Sequence, residues 1–356
     1  MGIESLARPE IVAMKPYSSA RKEAPGNGIL LNANEAPWPV LDGSGLNRYP
    51  DPQPAVLLAR LAALYGVPEQ NVLVTRGSDE GIDLLTRVFC RAGRDAVLHC
   101  PPTFGMYRIA AQTQGADVVS VPRDRERLLI DEPALLDRLQ ADERIRLVFL
   151  TSPNNPTGDV ISADFLESLL LAARNRAVVV VDEAYAEFCR EPSATRLISG
   201  HENLVVLRTL SKAWGAAGLR CGAVLAQADI ISLLRRIIAP YPLPSPVVDL
   251  ALRVLGAGGF EQKERLVAEL AKNKDILLER LEGRAFIREL FPGRAKFVLA
   301  RVDDADGLLT FCARQGVIIR GFPADPSLQG CIRISVGTAD EIDTLTAALD
   351  EWESTR

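Results

Sequence analysis

Between Val72 and Leu207 the chain carries a series of short apolar runs: Val72-Leu73-Val74, Ala96-Val97-Leu98, Asp117-Val118-Val119, Leu147-Val148-Phe149-Leu150, Val178-Val179-Val180-Val181 and Val205-Val206-Leu207. Successive side chains of a strand point to opposite faces, so a run that is apolar at every position needs cover on both sides. Helical spacing fills several of the gaps, as in Ala55 to Tyr65, ended by Gly66 and Pro68, and in Glu80 to Arg91. The alternation specifies an α/β architecture: a mainly parallel sheet covered by helices on each side. Ligands of such sheets collect at the carboxyl ends of the strands.

Past Pro240-Tyr241-Pro242-Leu243-Pro244-Ser245-Pro246 the texture changes. A charged helical stretch from Phe260 to Leu281 precedes the apolar runs Phe297 to Leu299, Val317 to Ile319 and Cys331 to Ile334, with a helix closing at Gly316 between the first two. Thr338-Ala339-Asp340-Glu341 reads as a capping box opening the last helix. These features predict a smaller α/β domain over 246–356, after a large domain over 46–245 and an N-terminal segment, 1–45.

The chain has 41 Lys plus Arg against 46 Asp plus Glu, a net charge of -5, so no general basic field is present to hold nucleic acid or an anionic membrane. No stretch approaches the roughly 18 apolar residues of a membrane span, and residues 1–28 lack the apolar core of a signal peptide. Cys90, Cys100, Cys189, Cys221, Cys312 and Cys331 form no C-x-x-C pair and read as free thiols. A cytoplasmic protein is expected. The two histidines, His99 and His201, fall in no ligand or nucleophile pattern, which argues against a zinc enzyme or a histidine-based hydrolase, and both are expected to be structural.

The informative loops follow the apolar runs. Lys212, in Thr209-Leu210-Ser211-Lys212, precedes Gly218-Leu219-Arg220-Cys221-Gly222. A lysine preceded by hydroxyls and followed by a glycine-flanked arginine is either a loop lysine or a Schiff-base lysine beside a phosphate cradle. Asp182, closing Val178 to Val181, is either a loop cap or a carboxylate that pairs with a protonated pyridine nitrogen, with Tyr185 near the ring. Ser152 to Gly158 is a proline and glycine turn that also sets Asn155 at the same edge. Ser78 and Asp79 open a helix after Gly77, where free amides can bind phosphate if the acidic side chains face outward.

Ser152-Pro153-Asn154-Asn155-Pro156-Thr157-Gly158, Asp182-Glu183-Ala184-Tyr185, Ser211-Lys212 and Gly218-Leu219-Arg220-Cys221-Gly222, in this order, resemble the fold-type I pyridoxal-phosphate aminotransferases. Pro16 to Arg21, Leu31 to Glu35, Arg48-Tyr49-Pro50, Pro101 to Tyr107 and Ile332 to Gly337 narrow the resemblance to the histidinol-phosphate aminotransferase family. The motifs span nearly the whole chain.

The resemblance implies the fold-type I architecture and pyridoxal 5'-phosphate as cofactor. It implies that Lys212 holds the cofactor and moves the proton, that Asp182 pairs with the pyridine nitrogen, and that Tyr185 and Asn155 bond the ring oxygen. Ser78 and Asp79 amides, Thr209 and Ser211 hydroxyls and Arg220 would hold the cofactor phosphate, and Phe104 would stack on the ring where related sequences often carry tyrosine. Tyr49 would reach the cofactor phosphate of a neighbouring subunit, making a homodimer with shared active sites, and the N-terminal segment, 1–45, would pack on the small domain and on that subunit. Tyr17, Asn34, Arg320 and Arg333 would bind substrate. The implied reaction converts L-histidinol phosphate and 2-oxoglutarate to imidazole acetol phosphate and L-glutamate, a step of histidine biosynthesis. Aromatic amino-acid transamination and decarboxylation of a phospho-amino acid such as threonine phosphate are alternatives on the same fold. A pyridoxal-dependent regulator would need a DNA-binding domain that the first 30 residues do not provide.

Overall fold

The computed structural model describes residues 2–17 and 28–355. The six apolar runs lie in one large sheet of seven strands: β1 (Val72–Thr75), β2 (Ala96–His99), β3 (Asp117–Ser120), β4 (Ile145–Thr151), β5 (Val178–Asp182), β6 (Leu204–Thr209) and β7 (Gly222–Ala226). Their spatial order is β1-β7-β6-β5-β4-β2-β3. All pairings are parallel except those of β7, which runs antiparallel to both β1 and β6.

Alternation within the strands explains their apolar character. Val148, Leu150, Val179 and Val181 belong to one hydrophobic cluster, while Leu147, Phe149, Val178 and Val180 belong to another. The first cluster includes side chains of α2 (Ala55–Tyr65) and α6 (Ala163–Ala172); the second includes those of α3 (Ser78–Phe89) and α7 (Ala228–Arg235). Burial of both faces is the principal stabilisation, at about 25 cal/mol per Å² of apolar surface removed from water. Ile3, Leu6 and Ile11, the last on α1 (Pro9–Ala13), bury in the second cluster.

The remaining helices before the second sheet are α4 (Met106–Gln114), α5 (Glu132–Ala141), α8 (Ser245–Val254) and α9 (Ala257–Leu281). A four-stranded antiparallel sheet follows, with β8 (Ile287–Phe291), β9 (Phe297–Val302), β10 (Arg320–Gly321) and β11 (Cys331–Ser335) in the order β10-β11-β9-β8. Helices α10 (Ala305–Arg314) and α11 (Ala339–Ser354) pack with it around Val298, Ile332 and Leu345.

Three local expectations change. The helix expected over Glu80 to Arg91 is α3, which starts at Ser78 directly after Gly77, so Ser78 and Asp79 lie inside its first turn. The strand expected over Val317 to Ile319 is absent, and only Arg320 and Gly321 pair with β11. Val317 and Ile319 pack against the small-sheet core while Ile318 is exposed, so the alternation exists without a ladder partner. The strands β7 and β8 were not expected from the pattern. All six cysteines are free, and no helix among the described residues is long and apolar enough to cross a membrane.

Candidate active site

Parallel pairing brings the ends of β4, β5 and β6 to one edge. Thr151 is opposite Asp182, and Lys212 follows three residues after Thr209, the last residue of β6. The Lys212 Nζ lies 5.3 Å from the centre of the Tyr185 ring. Asp182, only 2% exposed, accepts hydrogen bonds from the Tyr107 hydroxyl at 2.9 Å and the Ala184 amide at 3.1 Å. Burial drives its pKa up to about 6; the Tyr107 bond, the Ala184 amide and the Lys212 charge oppose that rise, and the Asp79 charge adds to it. Burial likewise lowers the pKa of Lys212, helped by the positive charges of Lys296 and Arg333. Both groups are therefore drawn toward neutrality, as expected for charges removed from water.

A second cluster forms where α3 begins. Gly77, at φ 81°, supplies no side-chain cap, so the first-turn amides are left for another acceptor. Arg220 bridges the Asp79 carboxylate and the Ser211 hydroxyl, at 3.2 Å each, and Thr209 Oγ1 donates to Ser211 Oγ at 2.9 Å. A Cβ on Gly77 would lie 2.9 Å from Arg220 Nη2, and one on Gly222 would lie 2.9 Å from the Gly77 backbone. Glycine at these two positions is what allows the guanidinium and the strand ends to close together. The outward orientation expected of the acidic side chains is not found: Glu80 is buried and turns back to Arg76, and Asp79 lines the cavity and meets Arg220.

The small sheet contributes from the opposite side. Pairing of β10 with β11 sets Arg320 across from Arg333. Arg333 Nη1 donates to the amide oxygen of Asn155, and its guanidinium lies 5.3 Å from the centre of the Phe297 ring. Asn155 is thus committed through its oxygen, leaving its Nδ2 as a donor.

These groups surround one cavity of about 920 Å³. Ser78, Asp79, Thr209, Ser211 and Arg220 line one end; Phe104, Asn155, Asp182, Tyr185 and Lys212 line its middle; Arg320 and Arg333 line the side contributed by the small sheet. Three expected residues lie elsewhere in this chain. Tyr49 stacks on Tyr241 at 4.5 Å between ring centres. Tyr17 lines a separate cavity with Gln53 and Arg235, and Asn34, at φ 54°, lines neither. Ser18 to Arg21 of the Pro16 to Arg21 motif lie outside the described residues.

The motif reading passed over Tyr107, Thr151 and Thr103. Tyr107 stacks on Phe149, meets Phe104 edge-on and bonds both Thr151 and Asp182; Thr103 donates to Asn154. Tyr107 belongs to the Pro101 to Tyr107 motif, but no spacing rule linked its hydroxyl to a carboxylate on another strand. His99, Arg108 and Ser120 also line the cavity. No group of His, Cys, Asp or Glu among the described residues is suited to hold a metal ion.

Comparison with known proteins gives the family. The family model for aminotransferase class I and II matches residues 18–349. A histidinol-phosphate aminotransferase of Aeromonas salmonicida is 45% identical over 98% of this chain and 98% of its own. One from Cronobacter sakazakii is 43% identical over 98% of this chain and 97% of its own. Among solved structures, a histidinol-phosphate aminotransferase from Sinorhizobium meliloti, in complex with pyridoxal-5'-phosphate, shares the fold. Its TM-score is 0.79 at 23% identity, covering 87% of this chain and 84% of that one. With a lysine, a buried carboxylate and an arginine–hydroxyl cluster gathered at one end of the sheet's strands, and with a family match across nearly its whole length, the chain belongs to the class I and II aminotransferases.

Proposed function

We propose that the chain is a pyridoxal-phosphate-dependent transaminase that exchanges the amino group of L-histidinol phosphate with 2-oxoglutarate, forming imidazole acetol phosphate and L-glutamate in histidine biosynthesis. The observation that carries this reading is the meeting of Lys212, Asp182 and the Arg220 cradle with Arg320 and Arg333 in one cavity. The relatives' shared name supports the substrate.

The residues fit the cofactor on structural grounds. Asp182 is buried, raised in pKa and without a cationic hydrogen-bond partner among the described residues, which suits a carboxylate that pairs with a protonated ring nitrogen. The uncapped first turn of α3, two hydroxyls and Arg220 suit a phosphate. Tyr185 and the Nδ2 of Asn155 would bond the ring oxygen, and Phe104 would stack on the ring. Pyridoxal phosphate, when bound, supplies an electron sink that stabilises negative charge on the substrate's α-carbon.

Lys212 would hold the cofactor, and its freed amine would take the proton from the substrate's α-carbon. Its lowered pKa favours the neutral amine that accepts this proton. Arg333 and Arg320 bind the anionic group of each substrate opposite the reacting carbon, which lets one site serve both half-reactions. Tyr17 and Asn34 complete the substrate pocket across a homodimer, and Tyr49 reaches the partner's cofactor phosphate. The exposed Leu31, Trp38, Val40 and Leu41 support such an interface. The division at residues 45 and 245 and a cytoplasmic location belong to the same reading, the latter supported by five buried free cysteines.

The test is to mix the cofactor-loaded protein with L-histidinol phosphate in the absence of a keto acid and record the absorbance of the bound cofactor. Conversion to the pyridoxamine form is the expected outcome. An unchanged spectrum with L-phenylalanine active, or carbon dioxide released from threonine phosphate, would move the substrate to an aromatic or phospho-amino acid. Lys212→Ala should lower turnover by about 10²–10⁴-fold.

A further inference from the structure

Turns from the large and small sheets meet backbone to backbone at a pair of glycines beside the cavity. Gly158 ends the Ser152 to Gly158 turn, three residues after Asn155, and Gly293 lies in the turn between β8 and β9. The Arg294 amide donates to the Gly158 carbonyl oxygen at 2.6 Å. Both glycines have positive φ, 76° and 51°, which favours glycine on conformational grounds alone. The contact adds a second requirement. A Cβ on Gly293 would lie 2.5 Å from the Gly158 Cα, and a Cβ on Gly158 would lie 2.8 Å from the Gly293 Cα, whereas carbon atoms pack at about 3.5–4.0 Å.

Each turn is held within its own sheet, so an added methyl group must move one sheet against the other. On the large-sheet side Asn154 is fully buried; its Nδ2 donates to the Pro102 carbonyl oxygen at 3.0 Å and to the Thr157 hydroxyl at 2.7 Å, and its backbone amide donates to the Asp159 carbonyl oxygen at 2.8 Å. On the small-sheet side Lys274 of α9 donates from Nζ to the carbonyl oxygens of Gly293 and Ala295, at 3.0 Å and 2.7 Å. The turn runs straight into β9, where Leu299 is opposite Arg333 of β11. Ala295 and Phe297 pack on Tyr185, and Arg333 donates to Asn155. A shift at Gly293 therefore reaches Arg333 through the strand ladder.

We propose that the contact of Gly158 with Gly293, clamped by Lys274, positions Arg333 for substrate: it sets the separation of the Asn155 turn from β11 at which the guanidinium meets a substrate anion in the cavity. The inference rests on the assignment of that anion to Arg333 and adds the residues that hold the arginine in place.

The test is the dissociation constant of succinate, a dicarboxylate with no group to transaminate, measured by calorimetry on the cofactor-loaded protein. Gly293→Ala should weaken succinate at least about tenfold. The dissociation constant of pyridoxal phosphate should change less than about twofold, because its cradle lies on the large-sheet side. Gly283→Ala is the control: at φ 77°, with nothing within 4 Å of an added Cβ, it adds the backbone strain without the contact and should leave both constants unchanged. Since the glycine acts through Arg333, Gly293→Ala added to Arg333→Gln should weaken succinate no further than Arg333→Gln alone. If Gly293→Ala does not fold, Lys274→Met, which frees both carbonyls without placing an atom at the contact, should weaken succinate at least about threefold. Unchanged succinate affinity, an equal loss in Gly283→Ala, an additive double variant or a wild type that does not bind succinate each overturns the proposal. If the wild type does not transaminate L-histidinol phosphate, the functional assignment fails, and the succinate constants still decide the positioning role.

Discussion

Asp182 combines two demands that conflict in the absence of a cofactor: it is sealed from water, and it is a carboxylate. Its folded pKa of about 6 lies above the ordinary 3.8, so the folded state binds more protons than the unfolded one between those values. Stability contributed by this group is therefore lost as pH rises through that window, by about 3 kcal/mol in all. In the cofactor-free protein, Asp182→Asn should gain stability over wild type on going from pH 4 to pH 7.5, read as a widening gap in thermal midpoint. Reconstitution with pyridoxal phosphate should shrink that gap. Asp182 was legible because it follows an apolar run directly, and Lys212 because hydroxyls precede it and a glycine-flanked arginine follows it in the loop after the next run. Tyr107 was not: its bond to Asp182 joins residues 75 positions apart, and only the stacking of Tyr107 on Phe149 aims the hydroxyl.

Elements whose chemistry is local were read correctly. Thr338 Oγ1 accepts from the Glu341 amide at 3.3 Å, and the Glu341 carboxylate accepts from the Thr338 amide at 2.8 Å, closing the expected capping box. Thr338→Ala should cost about 1 kcal/mol, measured by denaturant unfolding, because the Glu341 amide loses its acceptor. Gly66, at φ 66°, likewise ends α2 where the pattern placed the end. Strands fared less well where a partner decides them. Val317 to Ile319 has the apolar alternation of a strand yet no ladder, whereas Gly222 to Ala226, rich in small residues, is a strand because β1 and β6 flank it. Gly222 is required there: an added Cβ would lie 2.7 Å from the Arg208 carbonyl oxygen.

At the scale of the whole molecule, Leu31 at 90% and Trp38 at 74% exposure leave apolar surface uncovered in one protomer. If this surface joins two copies, replacing both Leu31 and Val40 with Asp should yield a monomer by analytical ultracentrifugation and remove activity, since Tyr49 would no longer reach a partner. An active monomer at working concentration would defeat the shared-site reading. The α/β class, the positions of Lys212, Asp182, Asn155 and Arg220, and the last helix's cap were determined by the sequence itself, because each depends on residue type and spacing within one element. Tertiary structure alone decided that β7 runs antiparallel, that Asp79 turns to Arg220 across 141 residues and that Arg333 meets Asn155 across 178. Such pairings depend on which strand ends the sheet order brings together, and that order arises from packing between distant segments.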